Sequence, residues 1–146
     1  MPSASISEAD QQYIKQAVER AEKLTSGEIR ICIENVCPLD VLDRAAFIFK
    51  KLGIHNTKER NGILIYLSLK DHKYAIIGDA GIHRFVKQEF WDEVGNEMIG
   101  FFKKGMLKDG LIHAVDRASE KLSQYFPLRQ NDRNELPNQI HFGDSK

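Results

Sequence analysis

The sequence predicts a three-layer α/β/α sandwich in which a small mixed sheet carries helices on both faces. Two segments of strand character, 28–34 and 63–69, flank a segment of helical periodicity, and such a strand–helix–strand unit is nearly always parallel and right-handed. A short polar turn then leads into another strand, 74–77, which must pair antiparallel because the connection is short. The remaining apolar residues recur at helical spacing on either side of these strands.

The first predicted helix covers about 7–25. Ser7 and Asp10 resemble a capping box, and Gly27 follows the last turn, where it can adopt the left-handed conformation that ends a helix. The next segment, 28–34, alternates strictly, with its isoleucines on one side, which indicates a strand with one fully buried face. Pro38 is suited to the first turn of a second helix that ends at Gly53.

The strand 63–69 is apolar on both sides, which predicts a central strand covered on both faces. Two further helices follow, one from Phe85 to Phe102 and one over 111–125 that ends before Pro127. We therefore expect a domain over 1–127 and a polar tail over 128–146. Part of this tail is expected to pack on the domain through its apolar residues, which are Leu136, Ile140 and Phe142.

Composition narrows the class of protein. The chain has 146 residues with 42% hydrophobic and 29% charged residues, and its 21 basic and 21 acidic residues give net charge +0. A nucleic-acid-binding protein normally carries a basic excess, and no apolar run approaches the roughly 20 residues needed to cross a bilayer. The N-terminus lacks the features of a signal peptide, and Cys32 and Cys37 fit a reducing compartment. We expect a bacterial-type, soluble, cytoplasmic monomer, with Cys32 a free thiol.

The predicted topology suggests a functional site. Strands one and two start at the end of the sheet where strand three finishes, so Glu28, Asn61 and Asp79 should converge there. The tail acids Asp132 and Glu135 could reach the same end. Carboxylate, amide and loop-carbonyl oxygens are ligands of Ca²⁺ or Mg²⁺. The hypothesis is a cation site with Asp79 as central ligand, Glu28 and Asn61 as helpers and a loop carbonyl near Gly78.

Two alternatives stay open from the residues alone. Asp79 could simply cap the following helix, and Asn61 could belong only to a turn before a strand. A rival site lies at the opposite end of the sheet, because open α/β sheets usually bind ligands at the carboxyl ends of their parallel strands. That end holds Cys37, Asp40, Asp71 and His72. No zinc-ligand spacing, nucleophile elbow or phosphate-binding loop is present.

Several segments taken in order resemble the TPM domain family, which includes a plant thylakoid-lumen protein associated with photosystem II repair and with acid phosphatase activity. The resemblance spans nearly the whole chain. It rests on the following segments: Ser26-Gly27-Glu28-Ile29, Asn61-Gly62-Ile63-Leu64-Ile65, Ile77-Gly78-Asp79-Ala80-Gly81-Ile82, Phe90-Trp91, Phe101-Phe102-Lys103-Lys104-Gly105, Tyr125-Phe126-Pro127 and Asn134-Glu135-Leu136-Pro137.

The resemblance implies an α/β/α sandwich and, as in some members, a bound divalent cation, commonly calcium. Two departures stand out: two residues, Asp79 and Ala80, separate the glycines where many members have one, and His83-Arg84 stands where most members carry an acid. Two functional classes follow. The first is a divalent-cation-binding module that acts through a protein partner; the second is a metal-assisted phosphomonoesterase. Only Arg60 and Arg84 could clamp a phosphate near the site, which favours the first. A folding or assembly factor without metal is a third class.

Overall fold

The structure is a computed structural model that describes residues 6–128 and 140–143. The described elements are, in chain order, α1 (Glu8–Glu22), β1 (Glu28–Glu34), α2 (Val41–Lys51), a 3₁₀ turn (Ile54–Asn56), β2 (Gly62–Ser68), β3 (Lys73–Gly78), α3 (Ala80–His83), α4 (Gln88–Lys103), α5 (Leu107–Tyr125) and β4 (Ile140–Phe142).

The strands form one mixed sheet in the order β3-β2-β1-β4. β1 runs parallel to both β2 and β4, whereas β3 is antiparallel to β2. β2 is thus a central strand, as its two-sided apolar pattern predicts. β4 is an element that the sequence analysis did not predict: Ile140 and Phe142 do not merely contact the domain but pair with β1 as a short strand. Leu136, Asp132 and Glu135 lie outside the described residues.

Helices cover both faces of the sheet, which confirms the predicted fold class. The isoleucines of β1 belong to a large core with α1, α4 and α5, and Cys32, which points to the other face, belongs to a smaller core under α2. All seven residues of β1 are buried, so the polar side of this strand is covered as well. Cys32 and Cys37 are both free thiols, in agreement with the sequence prediction for Cys32.

Two helix starts differ from the sequence-based bounds. α2 begins at Val41 and not at Pro38, since the Asp40 carboxylate accepts hydrogen bonds from the backbone N–H groups of Leu42 and Asp43. The helix predicted from Phe85 begins at Gln88 and is preceded by the single turn of α3. No helix among the described residues is long and apolar enough to cross a membrane.

Truncation of β2 tests the central position of this strand. Leu64 is fully buried in the smaller core, so Leu64→Ala should lower the free energy of unfolding by about 2–5 kcal/mol through lost burial and an unfilled cavity. Urea denaturation monitored by circular dichroism measures the change. Leu42→Ala, which truncates a leucine that is 55% exposed, should change it by only about 0.5 kcal/mol or less. An equal loss of unfolding free energy in both variants would contradict the packing described for Leu64.

Candidate functional site

The sheet register places the predicted site residues at one end of the sheet. Glu28 pairs with Gly62 across β1 and β2, and the N–H of Asp79 donates to the Gly62 carbonyl at 2.9 Å. Glu28, Gly62 and Asp79 therefore lie in one row, and the two acidic residues are separated by about 10 Å at their Cα atoms, because strands are spaced about 4.8 Å apart. Gly78 lies one step inside the row, paired with Ile63.

Gly62 lies between the two carboxylates in this row, and the side chain of Ile54 covers it. A Cβ atom built at Gly62 would lie 2.5 Å from Ile54 Cγ2, so only glycine admits this contact. Ile54 itself is fully buried. The two acidic residues thus flank a packed isoleucine, and each carboxylate has its own local partners.

Asp79 is held by an arginine and by the backbone. Its Oδ2 accepts from Arg60 Nε at 2.6 Å, and its Oδ1 accepts from Arg60 Nη2 at 2.8 Å and from the Ala80 N–H at 2.7 Å. The helix-cap interpretation of Asp79 is therefore observed, in α3. The Asp79 side chain is 5% exposed while that of Arg60 is 51% exposed, so a buried carboxylate is paired with a largely solvated cation.

Gly81 brings the loop before β2 against α3. Its N–H donates to the Arg60 carbonyl at 2.8 Å, and a Cβ at this position would lie 1.9 Å from the Glu59 carbonyl oxygen. Such a separation is impossible for a side chain, so the close approach requires glycine. This contact fixes the backbone that carries Arg60 and Asn61 relative to Asp79.

Asn61 carries a buried acceptor that lacks a hydrogen-bond partner within the described part of the chain. Its Nδ2 donates to Ser26 Oγ at 3.3 Å, and Ser26 Oγ donates its only hydrogen to Glu59 Oε2 at 2.8 Å. The amide nitrogen must therefore face Ser26, which leaves Asn61 Oδ1 buried without a hydrogen-bond partner among the described residues. An orphaned buried acceptor typically costs about 1–3 kcal/mol, so this oxygen is suited to a ligand or a water.

Glu28 lies in a second buried polar cluster. Burial, a hydrogen bond with Glu28 and repulsion from its carboxyl group raise the pKa of Glu22 to about 9. Glu22 Oε2 accepts the Ile29 N–H at 3.0 Å, and Arg30 Nη1 donates to the Ile29 carbonyl at 2.7 Å. These two hydrogen bonds satisfy the backbone N–H and carbonyl of Ile29. This residue lies outside the part of β1 that pairs with β4.

A groove of about 430 Å³ lies beside Asp79 and Asn61. The basic residues Lys58, Arg60 and Arg84 outnumber the one acidic residue, Glu59, in its lining, and Phe85 and Phe126 form its aromatic part. Phe85 is 49% exposed and stacks on Tyr125 with ring centroids 4.8 Å apart. The groove combines positive charge with an aromatic wall, which suits an anionic partner group.

The rival residues at the opposite end serve local structure. Asp71 accepts from the Cys37 N–H at 3.0 Å and from the Ser68 hydroxyl, and Asp40 caps α2. His72 is exposed, with a left-handed φ of 52°.

Within residues 6–128 and 140–143, no three His, Cys, Asp or Glu side chains gather to hold a metal. A cation at either end would therefore need amide, hydroxyl, carbonyl or water oxygens as well.

Sequence reasoning missed Ser26 and Glu59 as parts of the site. Both residues lie in loops with no periodic pattern, and Ser26 meets Glu59 and Asn61 across 33 and 35 residues of chain. The sequence suggests only a phosphate-clamping role for Arg60, whereas in the structure its guanidinium pairs with the Asp79 carboxylate. Their position in the sequence is the one feature that could have indicated a role in the site. Ser26 precedes Gly27, and Glu59 and Arg60 precede Asn61-Gly62.

The fold and the polar end of the sheet that carries Asn61 and Asp79 define a small α/β/α domain of a known class. The family model of the TPM domain matches residues 2–121, and the chain belongs to that family. The NMR structure of BA42 protein from the psychrophilic bacterium Bizionia argentinensis is similar over 94% of both chains, with 41% identity and a TM-score of 0.87.

A solution NMR structure of the N-terminal domain of a P. gingivalis protein shares the fold, with 18% identity, coverage of 85% of this chain and 80% of that one, and a TM-score of 0.70. No curated protein matches the chain.

The Glu22–Glu28 pair predicts a pH dependence of stability. Because the pKa of Glu22 is raised from 4.5 to about 9 in the folded state, the folded protein retains a proton that the unfolded chain releases. The free energy of unfolding should therefore fall as pH rises between these values. Glu22→Gln should flatten this slope, and Glu19→Gln on the same helix should leave it in place. Urea denaturation from pH 5 to pH 9 measures both, and identical slopes in all three proteins would contradict the assignment.

Proposed function

We propose that this TPM-domain protein is a divalent-cation-binding module, with calcium as the expected ion and magnesium as the alternative, that acts through a protein partner. The observation that carries the proposal is the buried Asn61 Oδ1, which lacks a hydrogen-bond partner among the described residues. This oxygen lies at the end of the sheet where Asp79 is also buried. A buried oxygen acceptor beside a carboxylate suits a hard cation.

The residues at this end fit an oxygen-ligated ion. Asp79 is the central ligand, Asn61 and Glu28 are helpers, and a loop carbonyl near Gly78 adds a further oxygen. The Ser26 hydroxyl and the Glu59 carboxylate lie next to Asn61 and can support a shell completed by water. Calcium accepts six to eight oxygens in irregular geometry, whereas magnesium demands a near-ideal octahedron, so this loop-built set favours calcium.

Arg60 acts as the resident counter-charge of Asp79 in the absence of an ion. A buried carboxylate must be paired, and Arg60 fills that role through two hydrogen bonds. Since half of the arginine side chain is exposed, Arg60 can leave into solvent at little cost when an ion binds. Binding is then an exchange of one cation for another.

The groove beside the site supports the partner part of the proposal. Lys58, Arg60 and Arg84 line it together with one acidic residue, Glu59, whose carboxylate accepts the Ser26 hydroxyl, and Phe85 adds an exposed aromatic surface. An arginine released from Asp79 would add its charge to this groove. We therefore expect an acidic segment of a partner protein to bind here when the ion is bound. The cytoplasmic location and monomeric state stay predictions.

A calcium titration followed by ¹⁵N NMR and by thermal unfolding tests the cation site. Because the ion binds only the folded state, the melting temperature should rise with free calcium, and amide shifts should map to residues near Asn61 and Asp79. Asp79→Asn should abolish both responses. Shifts that instead map to Asp40, Asp71 and His72 would place the site at the opposite end and contradict the assignment.

Arg60→Gln separates the exchange model from a simple loss of structure. Removing the competing guanidinium should tighten calcium binding by about tenfold, because the ion no longer has to displace a charged partner. Arg84→Gln is the matched control: it removes a nearby exposed arginine that makes no ion pair within the described residues, and it should leave the affinity unchanged. Weaker binding in Arg60→Gln than in Arg84→Gln would refute the exchange.

A phosphomonoesterase is the second candidate, and the three basic residues of the groove favour it because they could clamp a phosphate. The described groove residues include no Ser, Thr, Cys or His, and their one carboxylate, Glu59, is engaged by the Ser26 hydroxyl. We expect no hydrolysis of p-nitrophenyl phosphate above the buffer rate, with or without calcium. Turnover that persists through purification and disappears in Asp79→Asn would establish the enzyme in place of the binding module.

A further inference from the structure

A second cavity lies away from the proposed cation site. It has a volume of about 560 Å³ and lies at the carboxyl end of β2, between the β2–β3 hairpin and the junction of α4 with α5. Its walls are mainly apolar and include Leu67, Tyr74, Ile99, Phe102 and Leu107. This volume is typical of pockets for small molecules, and the carboxyl ends of parallel strands are where open α/β sheets bind ligands.

Two helical glycines shape the aromatic walls of this cavity. A Cβ at Gly95 in α4 would lie 2.2 Å from Tyr74 Cε2, and a Cβ at Gly110 in α5 would lie 2.6 Å from Phe102 Cε1. The Tyr74 hydroxyl is further fixed because it donates to Asn96 Oδ1 at 2.7 Å. Since glycine weakens a helix interior, its use at both contacts indicates that these ring positions are specified by the sequence.

The mouth of the cavity carries the positive charge of Lys103. Lys103 and the neighbouring lining residue His72 are both exposed, and neither forms an ion pair within the described part of the chain. The polar Ser68 already donates its hydroxyl to Asp71. No Asp or Glu is among the described lining residues. An apolar chamber with a basic mouth is complementary to a molecule that has an apolar body and one anionic end.

We propose that this cavity binds a medium-chain carboxylate, a fatty acid of about eight to ten carbons. The hydrocarbon chain lies against Leu67, Ile99 and Leu107, between the rings of Tyr74 and Phe102. The carboxylate lies at the mouth, where Lys103 pairs with it and His72 lies alongside. This site is separate from the proposed cation site and does not depend on it.

Titration of the full chain with octanoate tests the proposal by ¹⁵N NMR and calorimetry. Saturable amide shifts should occur at Leu67, Tyr74 and Leu107, and octanol should bind about tenfold more weakly because it lacks the charge. Octyltrimethylammonium should not bind, since its charge has the wrong sign. Lys103→Gln should weaken octanoate binding by a similar factor, while Lys104→Gln, a change at the next residue that does not line the cavity, should not.

The two lysine variants replace exposed side chains, so their melting temperatures should match that of the parent protein. Ile99→Trp provides a second readout, because the larger ring should fill the chamber and reduce binding of octanoate and octanol alike. Equal affinities in the two lysine variants, or shifts confined to the opposite end of the sheet, would overturn the proposal. So would concentration-dependent shifts of the same residues without octanoate, because a second copy of the chain would then occupy the cavity.

Discussion

Seven register pairs join β1 to β2, and every residue in both strands is buried. This parallel pairing requires a helix to cross over the sheet, which is α2, and it leaves β1 and β2 covered on both faces. The ends of the strands are then the places where the backbone and polar side chains can reach solvent or a ligand. Both candidate sites of this protein lie at such ends, one at each end of β2.

The polar residues of β1 show that a charged side chain buried at a strand end needs hydrogen-bond partners. Glu34 accepts hydrogen bonds from Arg44 Nε at 2.9 Å and from the Tyr66 hydroxyl at 2.6 Å. Although burial opposes ionisation, these bonds lower the pKa of Glu34. Gly143 lies against this carboxylate so closely that a Cβ there would be 2.2 Å from Glu34 Oε2. The Gly143 N–H donates to the Ile33 carbonyl, so Gly143 itself is anchored beside the Glu34–Arg44 ion pair.

The two ends of β2 differ in chemistry. At the amino end, Asp79 is paired with Arg60 while Asn61 Oδ1 has no partner among the described residues, so that end is polar and incompletely satisfied. At the carboxyl end, Asp71 is bonded to Ser68 and Cys37, and the adjoining cavity is lined mainly by apolar side chains. Polar groups without partners favour an ion, whereas an apolar chamber favours a hydrocarbon. Under the two proposals, one small sheet would serve two unrelated ligands, one at each end of β2.

The sequence by itself determined the central strand β2, the antiparallel hairpin and the helical layers, because these depend on local periodicity and short connections. It also indicated that Glu28, Asn61 and Asp79 lie at one end, since strand direction follows from connection length. Only the tertiary structure decided that Ile54 covers Gly62, that Arg60 holds Asp79 across 19 residues of chain, and that β4 pairs with β1. The reason is physical: side-chain partners and cavity shape depend on loop contacts between distant segments, which leave no periodic pattern in the chain.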